Sequence, residues 1–231
     1  MRHRIYVDAV EPETVVTGEE FHHASRVVRL REGEAVEVFD RAGRSAAGIV
    51  AGIGRDSLTV RVERELPSRE APVPLHLAMA IINLEKFELV LQKATELGAA
   101  SFVPLVTDRV ELRRERYAGK SERWNKVILE AVKQSGRSRV PPLSEPATFD
   151  EVVRRPGLKI VFDADTEPSQ AGDEGEATLF VGPEGGWSER ELSLAGELGC
   201  TFRRLGPRRL RAETAAIVAV ATTELRSRER D

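Results

Sequence analysis

Over Ala35 to Asp40, Ser45 to Gly54 and Ser57 to Glu65, apolar and polar residues alternate with a period of two between glycine-containing turns. That rhythm predicts a hairpin and meander, closing into a small β-barrel or open sheet. Arg4 to Val7 predicts a first strand, and Gly18 to Leu30 a short helix carrying His22, His23, Arg26 and Arg29. The segment Leu66 to Pro74 holds three prolines and marks a boundary between domains. Beyond it the rhythm becomes strand and helix in alternation. Leu75 to Ile82 and Ser101 to Val106 predict strands, and Lys86 to Leu97 and Ser121 to Ser135 predict helices. Leu158 to Phe162 and Ala177 to Val181 add strands, Ser188 to Leu198 a helix, and the polar, acidic Asp163 to Glu176 an exposed loop. Such alternation predicts a parallel sheet with helices on its faces. The fold class is therefore α/β, with a β-rich domain over residues 1–70 and an α/β domain over residues 72–231.

A chain of 231 residues with 41% hydrophobic content can bury the cores of two such domains. The net charge of -3 argues against a basic coat for nucleic acid, but it conceals segregation. Between Asp108 and Val140 there are ten Lys and Arg against five Asp and Glu; between Pro141 and Phe180 there are three against nine. A segment so charged can neutralise phosphates, or it can be a solvated, salt-bridged helix face. No apolar run reaches membrane-spanning length and the N-terminus lacks the apolar stretch of a signal peptide, so a cytoplasmic protein with no membrane partner is expected. Cys200 is the single cysteine and reads as a core residue. Adjacent His22 and His23 point in different directions on a helix and have no third ligand at suitable spacing, so no metal site is expected.

Two stretches near the C-terminus carry the chemistry. Val181 to Ser188 (VGPEGGWS) and Leu205 to Thr214 (LGPRRLRAET) each place Gly-Pro after an apolar residue, each leave what reads as a short buried strand, and each lead into helical sequence. In the first, Gly185 and Gly186 open the backbone to a ligand, and Ser188 precedes Glu191 at capping-box spacing. In the second, Thr214 is placed to cap a helix from Ala215 to Arg226 that is dense in alanine. Taken alone, a glycine-rich turn is an ordinary device. Two of them side by side would frame one pocket whose walls are main-chain groups. A third cluster, Gln134, Ser135, Arg137 and Arg139 around Gly136, sets amide donors and cations at a helix end. That suits phosphate or base contact, although helix C-termini also attract cations through their dipole.

VGPEGGWSERE at 181–191, LGPRRLRAETA at 205–215, EKFELVLQKATELG at 85–98 and QSGRSRVP at 134–141 together closely resemble the bacterial small-subunit ribosomal RNA uridine-N3 methyltransferases of the SPOUT superfamily. The four motifs occur in the same order over essentially the whole chain. The resemblance implies a PUA-like RNA-binding β-barrel followed by a SPOUT domain with a trefoil knot that binds S-adenosylmethionine. It further implies a homodimer acting on small-subunit ribosomal RNA, free or in an assembled particle. Carried over residue by residue, Gly182, Glu184, Gly185, Gly186, Leu205, Gly206, Leu210 and Ala212 would frame the cofactor. Arg209 departs from the motif, standing after Arg208 where an apolar residue is expected.

Methyl transfer to uracil N3 needs positioning and loss of the N3 proton; an arginine can stabilise the resulting anion. Because N3 lies on the pairing edge, the base must be unpaired or extruded. The candidates for catalysis are Arg137 and Arg211, with Glu213 as base or orienting group, or else simply a first-turn carboxylate of its helix. Arg4, His22, Arg26, Arg29, Gln134, Ser135 and Arg139 are the candidates for RNA contact. Two alternatives stand beside this reading: a SPOUT enzyme acting on transfer RNA, and a non-catalytic RNA-binding protein of the same fold. A dinucleotide-dependent oxidoreductase is disfavoured, since no G-x-G-x-x-G follows the first strand of the α/β half.

Overall fold

The computed structural model describes residues 3–169 and 175–228. It divides into two compact units, Met1–Glu70 with Val132–Val140, and Ala71–Ala131 with Pro141–Asp231. The division by residue therefore differs from a single cut near residue 71, because the segment around Arg137 groups with the N-terminal unit.

In the N-terminal unit, β1 (His3–Val7), β2 (Glu13–Val16), β3 (Ala35–Asp40), β4 (Ser45–Ile53) and β5 (Leu58–Glu65) form one sheet in the order β1-β3-β4-β5-β2. All pairings are antiparallel except β1 with β3. The edge strands β1 and β2 approach each other, so the sheet curls around its apolar face. Val36, Val38, Val50, Leu58 and Val60 fill that face and are almost wholly buried. Gly48 sits at a register shift where a Cβ would lie 2.5 Å from the Arg61 carbonyl oxygen, so the tightly paired β4–β5 ribbon admits no side chain there. The expected helix at 18–30 is split: α1 (Gly18–His22) passes into a π-helical turn, His23–Val28, that ends at Arg29 in the left-handed region with φ 59°.

The C-terminal unit holds a six-stranded sheet of β6 (Leu75–Ala80), β7 (Ser101–Val106), β8 (Ala147–Thr148), β9 (Leu158–Phe162), β10 (Ala177–Val181) and β11 (Thr201–Arg203). The order is β11-β9-β10-β6-β7-β8 and every pairing is parallel. The helices are α2 (Leu84–Glu96), α3 (Arg114–Tyr117), α4 (Ser121–Ser135), whose residues from Val132 onward group with the N-terminal unit, α5 (Phe149–Val153), α6 (Glu189–Glu197) and α7 (Ala212–Arg228). Asn83 caps α2 by accepting from the Glu85 amide at 3.0 Å, and Gly98, at φ 95°, follows its C-terminal end. Helices α2 and α7 pack together, with α7 also against β6 and β10; buried Ala216 and Ala219 let the backbones approach closely. Elsewhere in the core, Phe149 lies 5.6 Å from the Phe180 ring and 5.0 Å from that of Trp187, a burial contributing about 2–3 kcal/mol for the phenyl group.

Two further expectations need correction. Helix α7 begins at Ala212, and the Ala215 amide bonds the Arg211 carbonyl at 2.8 Å, so Thr214 lies within the first turn and does not cap it. Helix α5 lies where no element was expected, although Thr148 and Glu151 form a full capping box at its start.

Candidate active site

In a parallel sheet all carboxyl ends share one edge, which is where open α/β folds build their sites. Beyond the ends of the adjacent strands β9, β10 and β11 lies a cavity of about 640 Å³. Gly182, Glu184, Gly185, Gly186, Leu205, Gly206, Leu210 and Ala212 all line it, so both Gly-Pro loops border one space. The third wall runs from Phe162, read from sequence as the end of a strand, through Asp163 to Thr166, read only as the start of an exposed loop.

The first loop is built from inside. Trp187, 4% exposed, donates its Nε1 hydrogen to the Phe162 carbonyl at 3.0 Å and thereby stitches β9 to the loop after β10. A Cβ on Gly182 would lie 3.1 Å from the indole, so this turn accommodates only glycine without movement of the tryptophan. Ser188 and Glu191 form the anticipated capping box at the start of α6. Glu191 is fully buried and accepts from the Ser188 amide at 2.9 Å and from the Asp108 amide at 3.0 Å. Asp108 accepts from the Ser188 hydroxyl at 2.6 Å and is gripped by Arg190; these hydrogen bonds, the arginine's first, hold its carboxyl below the usual range. The same turn delivers Arg109 to the cavity, where it donates to the Gly185 carbonyl at 2.8 Å.

The second loop is fastened to the third wall. Arg204 donates to the carbonyls of Thr166 at 3.1 Å and Asp165 at 2.9 Å, and Arg209 pairs with Asp165 at 2.6 Å. The residue that departs from the motif thus joins Arg204 in reaching across to the 163–166 turn. That turn is held by Asp163. Burial would raise its carboxyl pKa, but hydrogen bonds from the Thr166 hydroxyl and the amides of Thr166 and Asp165 outweigh it and keep the group below the ordinary range.

Of the expected catalytic residues, Arg211 lines the cavity. Glu213 is not among the lining residues: its Oε1 lies 3.5 Å from Lys86 Nζ, which also reaches Glu184 at 3.4 Å. Lys86 therefore joins a carboxylate of the first loop to one at the start of α7. Glu213 Oε2 is buried and has no hydrogen-bond partner among the described residues.

Arg137 lies in the N-terminal unit with its side chain 5% exposed, and its guanidinium is paired with Glu70, which also accepts from the Ser138 and Arg139 amides at 2.9 and 3.0 Å. Arg4 is likewise enclosed: it bonds Glu37 at 2.8 Å, donates to the Val132 and Arg137 carbonyls at 2.6 Å, and lies over the Phe39 ring. Such commitment makes Arg4 an internal strut and corrects the expectation that it meets RNA. His22, Arg26, Arg29, Gln134 and Arg139 are exposed on the N-terminal unit, and Ser135 is half-buried.

The cavity fits the cofactor implied by the resemblance. Its volume lies within the range usual for such ligands, about 300–1,000 Å³. Leu192, Leu205 and Leu210 offer apolar surface for a base, glycines expose main-chain groups, and Glu184, Asp163 and Asp165 offer negative charge to a cation.

Comparison with known proteins places these features in a family context. A model of the RNA methyltransferase domain matches residues 69–224, and one of the RNA methyltransferase PUA domain matches residues 16–63. Ribosomal RNA small subunit methyltransferase E of Mycobacterium bovis is 34% identical, covering 93% of this chain and 88% of the relative. The Bacillus subtilis protein of the same name is 32% identical, over 91% and 89%. Among solved structures, a Legionella pneumophila protein described as a methyltransferase with bound SAM is 31% identical, covers 98% of both chains and gives a TM-score of 0.88. The Neisseria gonorrhoeae ribosomal RNA small subunit methyltransferase E bound to S-adenosyl methionine is 26% identical, covers 97% of this chain and 98% of that one, and also gives 0.88.

Proposed function

Since the chain belongs to the ribosomal RNA small subunit methyltransferase E family, we propose that it transfers a methyl group from S-adenosylmethionine to N3 of a uridine in 16S ribosomal RNA. The observation that carries this reading is the meeting of both Gly-Pro loops around one cavity at the carboxyl edge of a parallel sheet. Gly182, Glu184, Gly185, Gly186, Leu205, Gly206, Leu210 and Ala212 hold the cofactor, largely through main-chain groups. When bound, S-adenosylmethionine supplies a methyl group activated by its sulfonium.

The chain's own residues supply the rest. Arg211, on the cavity wall, offers a permanent positive charge to the uracil anion left when the N3 proton departs to solvent. Of the three roles open to Glu213, orienting group and first-turn carboxylate of α7 are better supported than base, because it pairs with Lys86, lies in the first turn of that helix and is absent from the lining. Lys86 couples the two loops by holding Glu184 and Glu213 together. The role left to Arg137 is to order the Arg137–Arg139 segment through Glu70.

In the N-terminal unit, His22, Arg26, Arg29, Gln134, Ser135 and Arg139 form the RNA-contacting set. Arg29 carries the only positive φ of a non-glycine residue among the described residues, a strained backbone of the kind kept where a side chain must be aimed. The active form is a homodimer, as the family resemblance implies, in the cytoplasm. Among the described residues no helix is long and apolar enough to cross a membrane.

Incubation with S-adenosylmethionine and, separately, 16S RNA, assembled small subunits or transfer RNA tests the reading. Nuclease digestion should release 3-methyluridine from one of the first two substrates. Ribose methylation of transfer RNA, or cofactor binding without transfer to any substrate, would replace it.

A further inference from the structure

A second cavity of the C-terminal unit, about 630 Å³, shares no lining residue with the first. Its walls come from Val106 at the end of β7 and from two stretches, 114–124 with Arg114, Tyr117, Ser121 and Trp124, and 144–151 with Glu145 and Glu151. Trp124 is 1% exposed and packs against Phe87 at 4.8 Å between ring centroids. Its Nε1 hydrogen is buried with no acceptor among the described residues. A buried donor without a partner is costly, so the site calls for a molecule that brings an acceptor.

The rest of the lining narrows what that molecule is. Ser121 opens the 15-residue α4, whose first turn presents main-chain N–H groups and positive dipole, and Arg114 adds a guanidinium; all favour acceptor atoms. The 144–151 stretch brings carboxylates, and Glu151 Oε2 already accepts from the Thr148 amide at 2.7 Å and hydroxyl at 2.8 Å. A ligand there must therefore carry donors as well, which disfavours a bare phosphate. Tyr117 and Trp124, 7% and 1% exposed, close the cavity with rings that are almost wholly buried, so the site recognises a ligand by its polar edge and not by stacking. A planar group with carbonyl acceptors and N–H donors on one edge, joined to an anionic backbone, satisfies both demands. The flanking chain agrees, with six Lys and Arg against two Glu between Arg113 and Lys126.

We propose that this second cavity receives an unpaired nucleobase of the RNA substrate, separate from the base that is methylated. Single-stranded RNA is commonly recognised through splayed bases that are hydrogen-bonded along their edges while cations follow the phosphates. The inference rests on the proposed RNA methyltransferase function and gives that function a specificity pocket.

The chain's two tryptophans make the test direct, since Trp187 and Phe162 line the first cavity and Trp124 the second. In ¹⁵N-labelled protein each indole N–H gives its own resonance. A single-stranded fragment of 16S RNA should shift the Trp124 signal and a fully paired RNA duplex should not, while S-adenosylmethionine should shift that of Trp187. Ala118→Phe, a small exposed lining residue enlarged, should weaken single-strand binding about tenfold and abolish the Trp124 shift, with the Trp187 response kept. A Trp124 signal unmoved at saturating RNA marks a water-filled void and overturns the proposal. So does wild-type affinity in Ala118→Phe, or failure of the RNA to bind at all. Failure of the methyl-donor reading is separate: it shows as a Trp187 signal indifferent to S-adenosylmethionine.

Discussion

The two loops that border the first cavity open with the same words in the sequence and are held by opposite means. The first, from Gly182 to Ser188, is tied down by groups that solvent hardly touches: Trp187 at 4% exposure and Glu191 at 0%. The second, from Leu205 to Arg211, is tied down by Arg204 and Arg209, and the Arg209–Asp165 pair has side chains 68% and 76% exposed. A buried hydrogen-bond network is set by folding and costs much to disturb, whereas exposed ion pairs contribute little and are screened by salt. One wall of the cavity is therefore fixed before any ligand arrives. The other is adjustable.

The sharpest way to break this contrast is Glu191→Ala. It strands the part-buried amides of Asp108 and Ser188, empties a fully buried side-chain position and removes half of the capping box. Each stranded amide costs about 1–3 kcal/mol, so a total near 3–4 kcal/mol is expected in urea denaturation. Cofactor affinity should fall with it, because the Asp108–Arg109 turn shares the anchor. A loss below about 1 kcal/mol, the level of an ordinary exposed contact, would mean the first loop is no better fixed than the second.

Gly186→Val comes next and separates strain from crowding. Its φ is 70°, and a Cβ there would meet no other atom within 4 Å. The protein itself has room, so the cost to folding is the left-handed backbone, about 1–2 kcal/mol and more for a β-branched side chain. Calorimetry should show S-adenosylmethionine binding at least tenfold weaker, by a penalty of about 1.4 kcal/mol. Gly186→Asn, which tolerates that conformation, should recover stability and reveal what the ligand alone objects to. Equal stability of the valine and asparagine variants would rule strain out.

How much of this was legible beforehand follows the same division. The first loop could be read because its parts are local: Gly-Pro after an apolar run, two glycines, and Ser188 three residues before Glu191. The same signal stood at Thr148 and Glu151 and could have found α5. Strand β11 is three residues long, too short for any period to register on its own. The third wall was missed because Asp163 to Thr166 is an Asp-centred turn in an acidic run, and its sequence does not say that it faces two loops. Arg109 meets Gly185 across 76 positions, a pairing that only the parallel sheet creates. Arg4 and Arg137 look from sequence like cations free to meet phosphate. Glu37 and Glu70, each more than 30 residues away, make them internal. The trefoil knot that the resemblance implies would be still less visible, since threading leaves no mark on hydrophobic periodicity.

The smallest expected effect is the most discriminating, and it falls on Arg209. Removing it as Arg209→Ala breaks one exposed pair, worth about 0–1 kcal/mol, and leaves Arg204 holding the 165–167 segment. Unfolding should hardly change. What should change is the salt dependence of cofactor binding, because at low ionic strength the pair helps to draw the second loop onto its wall, and at high ionic strength screening removes that help. The dissociation constants of wild type and variant should therefore differ by about two- to threefold in dilute buffer and converge as salt approaches about 1 M, where the screening length is about 3 Å. Asp165→Asn should reproduce the result, and the double variant should add nothing further, since the two side chains act through one contact. A ratio unaffected by salt would place Arg209 in direct contact with the ligand, and the second loop would then have to be regarded as no less fixed than the first.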